Sequence, residues 1–393
     1  MDDLPTYDAP LADLLVLDLT RALAGPQAGM MLGDLGARVI KVESATGDDT
    51  RAWGPPWAGD PGPDDAHDST YFMSANRNKE SIVLDLKDAA DQEVLARLVA
   101  RADVLLENFR TGVLDRLGFP VARLHELNPG LVIGSITGFG HDGPEASRAG
   151  YDQIAQGEGG LMSITGVGEP TKVGVPIADL LAGMNLAAGV LAALHERSRT
   201  GRGRVVRTSL LAGVVGVHAF QGTRWTIAGE VPGLSGSHHP AIAPYGMFAT
   251  ATSPVQVAVG SEGLWVRFAA ALGLDATEER FASNRSRVAH RDELIAVIER
   301  VFGTEPAAHW LALLLDAGVP AGKVRTLDDV YGWDQTLSQG LRLEVDHPAY
   351  GRLALPGSPI RFDDNTFSGG RPEHAAPPLL DQHGAYIRAW VAD

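Results

Sequence analysis

Covalent chemistry in this 393-residue chain has to be built without a thiol, because the sequence contains no cysteine. That removes thiolate nucleophiles, disulfides, thiolate zinc sites and iron–sulfur clusters together. No serine stands in a G-x-S-x-G turn, the strand-to-helix elbow that exposes hydrolase serines. No H-E-x-x-H occurs, the adjacent His238 and His239 point apart in an extended loop, and the other histidines are scattered, so no metal site is expected. Residues 138–143 (GFGHDG) match G-x-G-x-x-G after an expected strand. Pro144 and the polar residues 145–150 open no amphipathic helix, however, and no acidic residue ends a strand about 20 positions on, so the match does not point to a dinucleotide cofactor.

Carboxylates remain as candidate nucleophiles. Asp179 follows residues 175–178 (VPIA) and opens the most apolar helical stretch in the chain, 178–195. One reading makes it a helix cap or first-turn acid that complements the helix dipole. The other makes it a reactive carboxylate at the mouth of a buried helix, after a Gly/Pro-rich loop that a ligand could approach. Asp152, in the tripeptide 150–152 (GYD), carries the same two readings. Position alone leaves both residues open.

The elements that must position these groups alternate strand and helix through the first half. Residues 14–19 (LLVLDL) read as a buried parallel strand, 27–35 as a helix and 38–42 as the next strand, a βαβ unit. Further strands are expected at 81–86, 102–106, 131–137 and 205–208. Residues 88–102 form an amphipathic helix whose stripe is Val94, Leu95, Leu98, Val99 and Ala102. This alternation predicts an open parallel sheet with helices on both faces. After about residue 233 the pattern changes to a Gly/Pro/His-rich loop, a hairpin at 248–252 and 255–259, and helices near 264–272, 291–302 and 307–317. That is the pattern of a smaller α+β domain, and the Pro- and Gly-rich tail 331–393 is expected to return to the first.

Composition bounds the partners. A hydrophobic fraction of 45% and a charged fraction of 21% are those of a globular protein with room for two cores. The net charge of −16 repels nucleic acid and anionic membrane surfaces, so neither is an expected partner, while a local basic pocket for a phosphorylated ligand stays compatible with it. Residues 1–10 show no signal-peptide pattern, and no apolar run reaches the length needed to span a bilayer. A soluble, cytoplasmic protein is expected.

Several segments, in register along almost the whole chain, resemble the family III CoA-transferases, the group that contains formyl-CoA transferase and the carnitine CoA-transferases. They are 17–20 (LDLT) with 24–26 (AGP), 36–43 (GARVIKVE), 76–79 (NRNK) with 81–87 (SIVLDLK), 107–110 (ENFR) with 114–118 (LDRLG), and 150–152 (GYD). The series continues through 178–180 (ADL), 200–203 (TGRG), 243–245 (APY), 317–320 (AGVP) and 376–380 (APPLL). The resemblance implies a Rossmann-like large domain from residues 1–220 and 331–393, a smaller α+β domain from 221–330, and two chains threaded through one another as an interlocked homodimer. It implies an enzyme that moves CoA from an acyl-CoA thioester to a small carboxylic acid, with CoA as substrate and no permanently bound cofactor.

The same resemblance puts the catalytic aspartate at Asp179. A carboxylate with an ordinary pKa of about 3.9 is ionised at neutral pH and needs no activating base. It would attack the thioester, pass through a mixed anhydride and become an aspartyl-CoA thioester. Ala24, Leu84, Lys87, Asn108, Phe109, Arg110, Arg116 and Tyr151 fall at CoA-contacting positions. Arg110 and Arg116 could meet phosphate, although Arg116 also reads as a plain i,i+4 surface partner. The loop 233–240 (GLSGSHHP) falls at the family's active-site glycine loop, or is an interdomain linker. The chain departs from formyl-CoA transferase at Leu23, where that enzyme has Gln, and in the loop, where Gly236, Ser237, His238 and His239 replace a run of glycines. Lys323 replaces a proline. These departures weigh against oxalate or formate and leave a small dicarboxylate, branched or aromatic acid open. The α-methylacyl-CoA racemases share the motif series but have Gly-His-Asp where this chain has Gly150-Tyr151-Asp152. A non-catalytic CoA-binding protein is the third reading.

Overall fold

The computed structural model describes residues 9–59 and 67–392. Residues 1–8, most of the segment read as lacking a signal peptide, lie outside them. The chain divides into two compact units, one of Met1–Leu161, Val173–Gly229 and Tyr331–Asp393, the other of Met162–Lys172 and Glu230–Val330.

The first unit is built on six parallel strands: β1 (Leu15–Asp18), β2 (Arg38–Glu43), β3 (Lys79–Val83), β4 (Val104–Glu107), β5 (Val132–Thr137) and β6 (Val205–Ser209). Their order is β3-β2-β1-β4-β5-β6. Every residue of β1 is buried, and successive side chains face opposite layers. Leu17 packs with Leu95, Leu98 and Val99 of the Ala89–Arg101 helix on one face. Val16 packs with Ala28, Leu32 and Leu186 on the other. The Ala89–Arg101 helix buries Leu95, Leu98 and Val99 of the expected stripe, with Val94 partly buried and Ala102 just past its end, and starts at Asp88, whose carboxylate accepts from the backbone N–H groups of Ala90 and Asp91. In this strand order the chain reverses direction of travel across the sheet between β1 and β4, which opens a crevice at their carboxyl ends.

The Ala24–Asp34 helix lies close against the end of β1. A Cβ on Gly25 would stand 2.3 Å from the Thr20 side chain, so only glycine permits that approach. The Ile177–Thr200 helix packs across it and along β5. This 24-residue helix has a mean hydropathy of 1.8 over an 18-residue window, so by length and composition it can cross a membrane. That corrects the expectation that no apolar run is long enough: the run before the charged segment 196–200 already suffices, and here Ala178, Ala182, Leu186 and Val190 of the helix are buried in the core of the first unit.

β3 begins at Lys79 rather than at 81, and the tail is more regular than its composition implies. Residues 331–393 belong to the first unit and contain a hairpin of β10 (Arg342–His347) and β11 (Gly351–Pro356) and a helix, Gly384–Ala392. Arg388 bonds Asp91 at 2.8 Å, and the Ser81 N–H donates to His383 Nδ1 at 3.1 Å.

The second unit has an antiparallel sheet of β7 (Tyr245–Phe248), β8 (Val255–Ala258) and β9 (Ala321–Lys323). Helices Glu262–Leu272, Arg291–Phe302 and Ala307–Asp316 cover a core centred on Phe248, Trp265, Phe268, Phe302 and Trp310. The hairpin's first strand ends where the sequence reading begins it, because residues after Phe248 turn, with Thr250 Oγ1 donating to the Ser253 carbonyl.

Candidate active site

Beyond the end of β1 the chain must turn without an exposed hydrophilic run, and buried charges hold it. Asp18 accepts from the Thr20 backbone N–H at 3.0 Å, from the Thr20 hydroxyl and from Lys79 Nζ at 2.8 Å. Lys41 Nζ donates to the Thr20 carbonyl and to Asp48, both at 2.9 Å. Burial alone would raise Asp18, but Lys79 and Lys41 hold its carboxyl below the usual range. Asp48 in turn accepts from the Ala22 N–H at 3.2 Å, and Ala22 sits in the left-handed region at φ 64°. From β4, Asn108 closes the other side: Arg21 N–H donates to its Oδ1 at 2.9 Å, and its Nδ2 donates to the Arg21 carbonyl at 2.7 Å. This clamp presents the start of the Ala24–Asp34 helix, which has no capping side chain and no acidic residue in its first turn. Free backbone N–H groups of that kind suit an anion or a developing oxyanion.

At the ends of β4 and β5 a polar chain runs from Glu107 through Ser135 to His141: Ser135 Oγ bonds Glu107, and lies 2.7 Å from His141 Nε2. Burial raises the Glu107 carboxyl, and its second oxygen accepts from the Phe109 N–H at 2.9 Å. After β5, Gly138 and Gly150 lie backbone to backbone, with a Cβ on Gly138 only 2.6 Å from Gly150 N. This contact brings Tyr151 and Asp152 beside the carboxyl end of β5. Asp152 starts the Asp152–Glu158 helix, and its Oδ1 accepts from Ala178 N–H at 2.8 Å.

These elements enclose a cleft of ≈ 400 Å³ within the first unit at the carboxyl ends of β1, β4 and β5. Ala24, Asn108, Phe109, Arg110, Tyr151 and Asp179 all line it, as does Asp152. Asp179 is half-buried in the first turn of its helix, where desolvation, followed by the charge of Asp152, pushes its pKa up to about 7. That corrects the expectation of an ordinary, fully ionised carboxylate. The remaining sequence candidates do not line this cleft. Leu23 is buried just before the Ala24–Asp34 helix, Leu84 is sealed in the core, and Lys87 and Arg116 are exposed. Among the described residues no cluster of three His, Asp or Glu is placed to hold a metal.

Gly236, Ser237, His238 and His239 belong to the second unit. Gly236 has φ 56°, the His238 ring meets Phe248 edge-on at 5.3 Å, and the His239 ring lies 5.2 Å from Tyr245. Arg291 Nη2 donates to the Pro240 carbonyl at 2.6 Å. Desolvation and the Arg291 charge push both histidines below the ordinary value.

The sequence reading missed Trp53 and Tyr71, which also line the cleft with their rings 5.1 Å apart, and Arg21, Asp49 and Arg148. Tyr71 is pushed up to about 12 by burial and then by the charges of Asp179 and Asp152, so it remains a neutral phenol and a potential donor. Both aromatics come from the segment between β2 and β3, where no periodic pattern draws attention to them.

Comparison with known proteins matches this geometry to a family. The profile of CoA-transferase family III covers residues 11–384. The chain is 38% identical to the acetyl-CoA:oxalate CoA-transferase of Acetobacter aceti over 96% of its own length and 95% of that protein. It is 37% identical to the succinyl-CoA:glutarate CoA-transferase of Homo sapiens, over 96% of this chain and 85% of the human one. A crystal structure of a CAIB/BAIF family protein from Brucella suis superposes with a TM-score of 0.85 at 40% identity, covering 98% of this chain and 100% of that one. The chain is an enzyme of CoA-transferase family III.

Proposed function

We propose that this enzyme moves CoA from an acyl-CoA thioester to a free carboxylic acid through Asp179. The observation that carries the reading is the position of Asp179, a half-buried carboxylate in the switch-point cleft that the uncapped Ala24–Asp34 helix also enters. In the first step an Asp179 oxygen attacks the thioester carbonyl carbon, the C–S bond breaks, and a mixed anhydride and CoA thiolate result. The thiolate then attacks the Asp179 carboxyl carbon and releases the donor acid, leaving aspartyl-CoA. The acceptor carboxylate attacks that carbonyl and expels the thiolate, which finally attacks the acceptor carbonyl and frees Asp179. Each tetrahedral oxygen needs donors, and the backbone N–H groups at the start of the Ala24–Asp34 helix, with the Tyr71 phenol, are suited to that role. No net proton is transferred, so no separate general base is required.

Asn108, Phe109, Arg110, Ala24 and Tyr151 are proposed to hold CoA in the cleft, with the exposed Lys87 and Arg116 extending the contact outside it, while Leu84, sealed in the core, is not a contact. The relatives named for oxalate and glutarate support a small dicarboxylate as one of the acids. We also read the active form as an interlocked homodimer, supported by the exposed Phe220, Trp225 and Ile227 on the Ala219–Ala228 helix. The racemase alternative needs a second proton carrier, and both Asp152 oxygens are already engaged, by Ala178 N–H and Gln156 Nε2.

The test is covalent trapping. With succinyl-CoA as donor, hydroxylamine or borohydride treatment should modify Asp179, located by peptide mass spectrometry. Asp179→Ala should lose at least about a thousandfold in rate while still binding CoA. Turnover without any modification at Asp179 would sink the reading.

A further inference from the structure

Asp152 does more than line the cleft. Its Oδ1 accepts from the N–H of Ala178, the residue immediately before Asp179, at 2.8 Å. Its Oδ2 accepts from Gln156 Nε2 at 2.7 Å, and Gln156 Oε1 accepts from Val173 N–H at 2.8 Å. Gln156 is wholly buried. One short helix therefore grips both ends of the segment 173–178 that delivers Asp179. The Ile177–Thr200 helix has no capping side chain at Pro176, so Asp152 supplies from a separate element what a local cap would. A neutral Ser or Asn would serve as well for capping alone. A carboxylate there adds something a neutral cap lacks, a second negative charge one residue from Asp179 and in the same cleft.

We propose that Asp152 is a positioning residue for Asp179: it fixes the first turn of that residue's helix and holds a second negative charge against its carboxyl group. The inference rests on the reading of Asp179 as the nucleophile. Two like charges close together disfavour the doubly ionised state. Acylation converts Asp179 to a neutral anhydride or thioester and relieves the repulsion, so the pair favours the covalent intermediates over the free carboxylate. The same repulsion makes the Asp179 carboxylate more basic and a better nucleophile once it is deprotonated. The other groups that bear on Asp179 are the neutral Tyr71 phenol and, around the same cleft, Arg21, Asp49, Arg110 and Arg148. Among the described residues, the charge that raises Asp179 is that of Asp152, acting after desolvation.

The test compares wild type with Asp152→Asn, which keeps an oxygen for the Ala178 N–H but removes the charge and the acceptor for Gln156 Nε2, and with Asp152→Ala, which removes the charge and both acceptors. A 13C NMR titration of aspartate carboxyl carbons, with Asp179→Asn to identify the signal, reads Asp179 with no CoA present. In Asp152→Asn the Asp179 midpoint should fall from about 7 by about 1 unit, and stay above the ordinary 3.8 because burial is unchanged. The acid limb of kcat/KM should move with it, while kcat drops about tenfold and KM for acyl-CoA changes less than about twofold. Asp152→Ala should lose more in kcat than Asp152→Asn. A purely structural cap leaves the Asp179 midpoint of Asp152→Asn at the wild-type value, whatever the loss of the Gln156 bond does to kcat, and that result overturns the proposal. If Asp152→Asn does not accumulate as folded protein, Asp152→Ser carries the same expectation and the same refutation. Failure to trap an acyl group on Asp179 would overturn the nucleophile reading alone, because the NMR midpoint does not depend on transfer.

Discussion

Asp179 is a carboxylate whose ionisation is opposed by burial and by a neighbouring charge, and this has consequences in both rate and stability. As the proposed nucleophile it would react as the anion, so kcat/KM should rise with pH to a plateau, with the acid limb near 7 rather than near 4. The stability effect has the opposite sign. A carboxyl whose folded pKa is raised binds more protons folded than unfolded between 3.8 and about 7, so its contribution is full below 3.8 and is lost as pH rises through 7. Asp179→Asn should therefore be more stable than wild type at pH 8, on the order of 2 kcal/mol by chemical denaturation, and the gap should close toward pH 4. Equal stability of the two proteins at pH 8 would contradict the raised value. Asn108 acts through backbone: Asn108→Ala removes both bonds to Arg21 and should cost about 1 kcal/mol and raise KM for acyl-CoA, read by melting and steady-state kinetics. The sequence made Asp179 visible as a first-turn acid on an apolar helix, one reading among two. It could not show Asn108 clamping Arg21 or Tyr71 facing two aspartates, because those partners are brought together only by strands and loops far apart in the chain.

At the scale of elements, the loops after β1 and β2 owe their conformation to charges taken wholly out of water. The Lys41–Asp48 and Lys79–Asp18 pairs have no exposed side-chain surface. Such pairs add little against an apolar replacement, but breaking one leaves an uncompensated buried charge. Asp48→Ala strands Lys41, frees the Ala22 N–H and uncaps Thr50, so it should cost about 3–5 kcal/mol in denaturant unfolding. A loss below about 1 kcal/mol would show that water reaches Lys41. These pairs also explain where sequence reading slipped. A strand opening with Lys79 and Glu80 looks too polar for the middle of a core, and the apolar pattern alone points to 81–86. Lys79 is tolerated because Asp18, 61 positions earlier, meets it inside the sheet. The tail hairpin was hidden differently: β10 alternates charged and apolar residues over only five positions before His347, and the surrounding Pro and Gly mask so short a signal. Where periodicity was long, as in 291–302, the helix lies on the residues expected.

The whole molecule shows the same division. Alternating strands and helices were enough to anticipate an open parallel sheet, and the reversal between β1 and β4 then fixes where a ligand site forms. Assembly is less visible to periodicity, because a residue that is buried by a partner looks like any other apolar residue. In the single chain, Trp225 is 57% exposed and Ile227 83%, and the Ala219–Ala228 helix buries none of its residues. A surface of this kind is suited to a second copy of the chain. Static light scattering should give twice the 41.6 kDa chain mass, and Phe220→Ser combined with Trp225→Ser should reduce it toward that of one chain. An interlocked dimer makes a stronger demand than a docked one. Chains threaded through each other cannot exchange without unfolding, since separation requires at least one chain to open. Mixing 14N- and 15N-labelled protein under native conditions should then yield no mixed dimer by native mass spectrometry, whereas joint unfolding and refolding should yield mixed dimers as about half of the population if pairing is random. A single-chain mass in the first experiment removes the dimer, and mixed species under native conditions remove the threading while leaving the dimer in place.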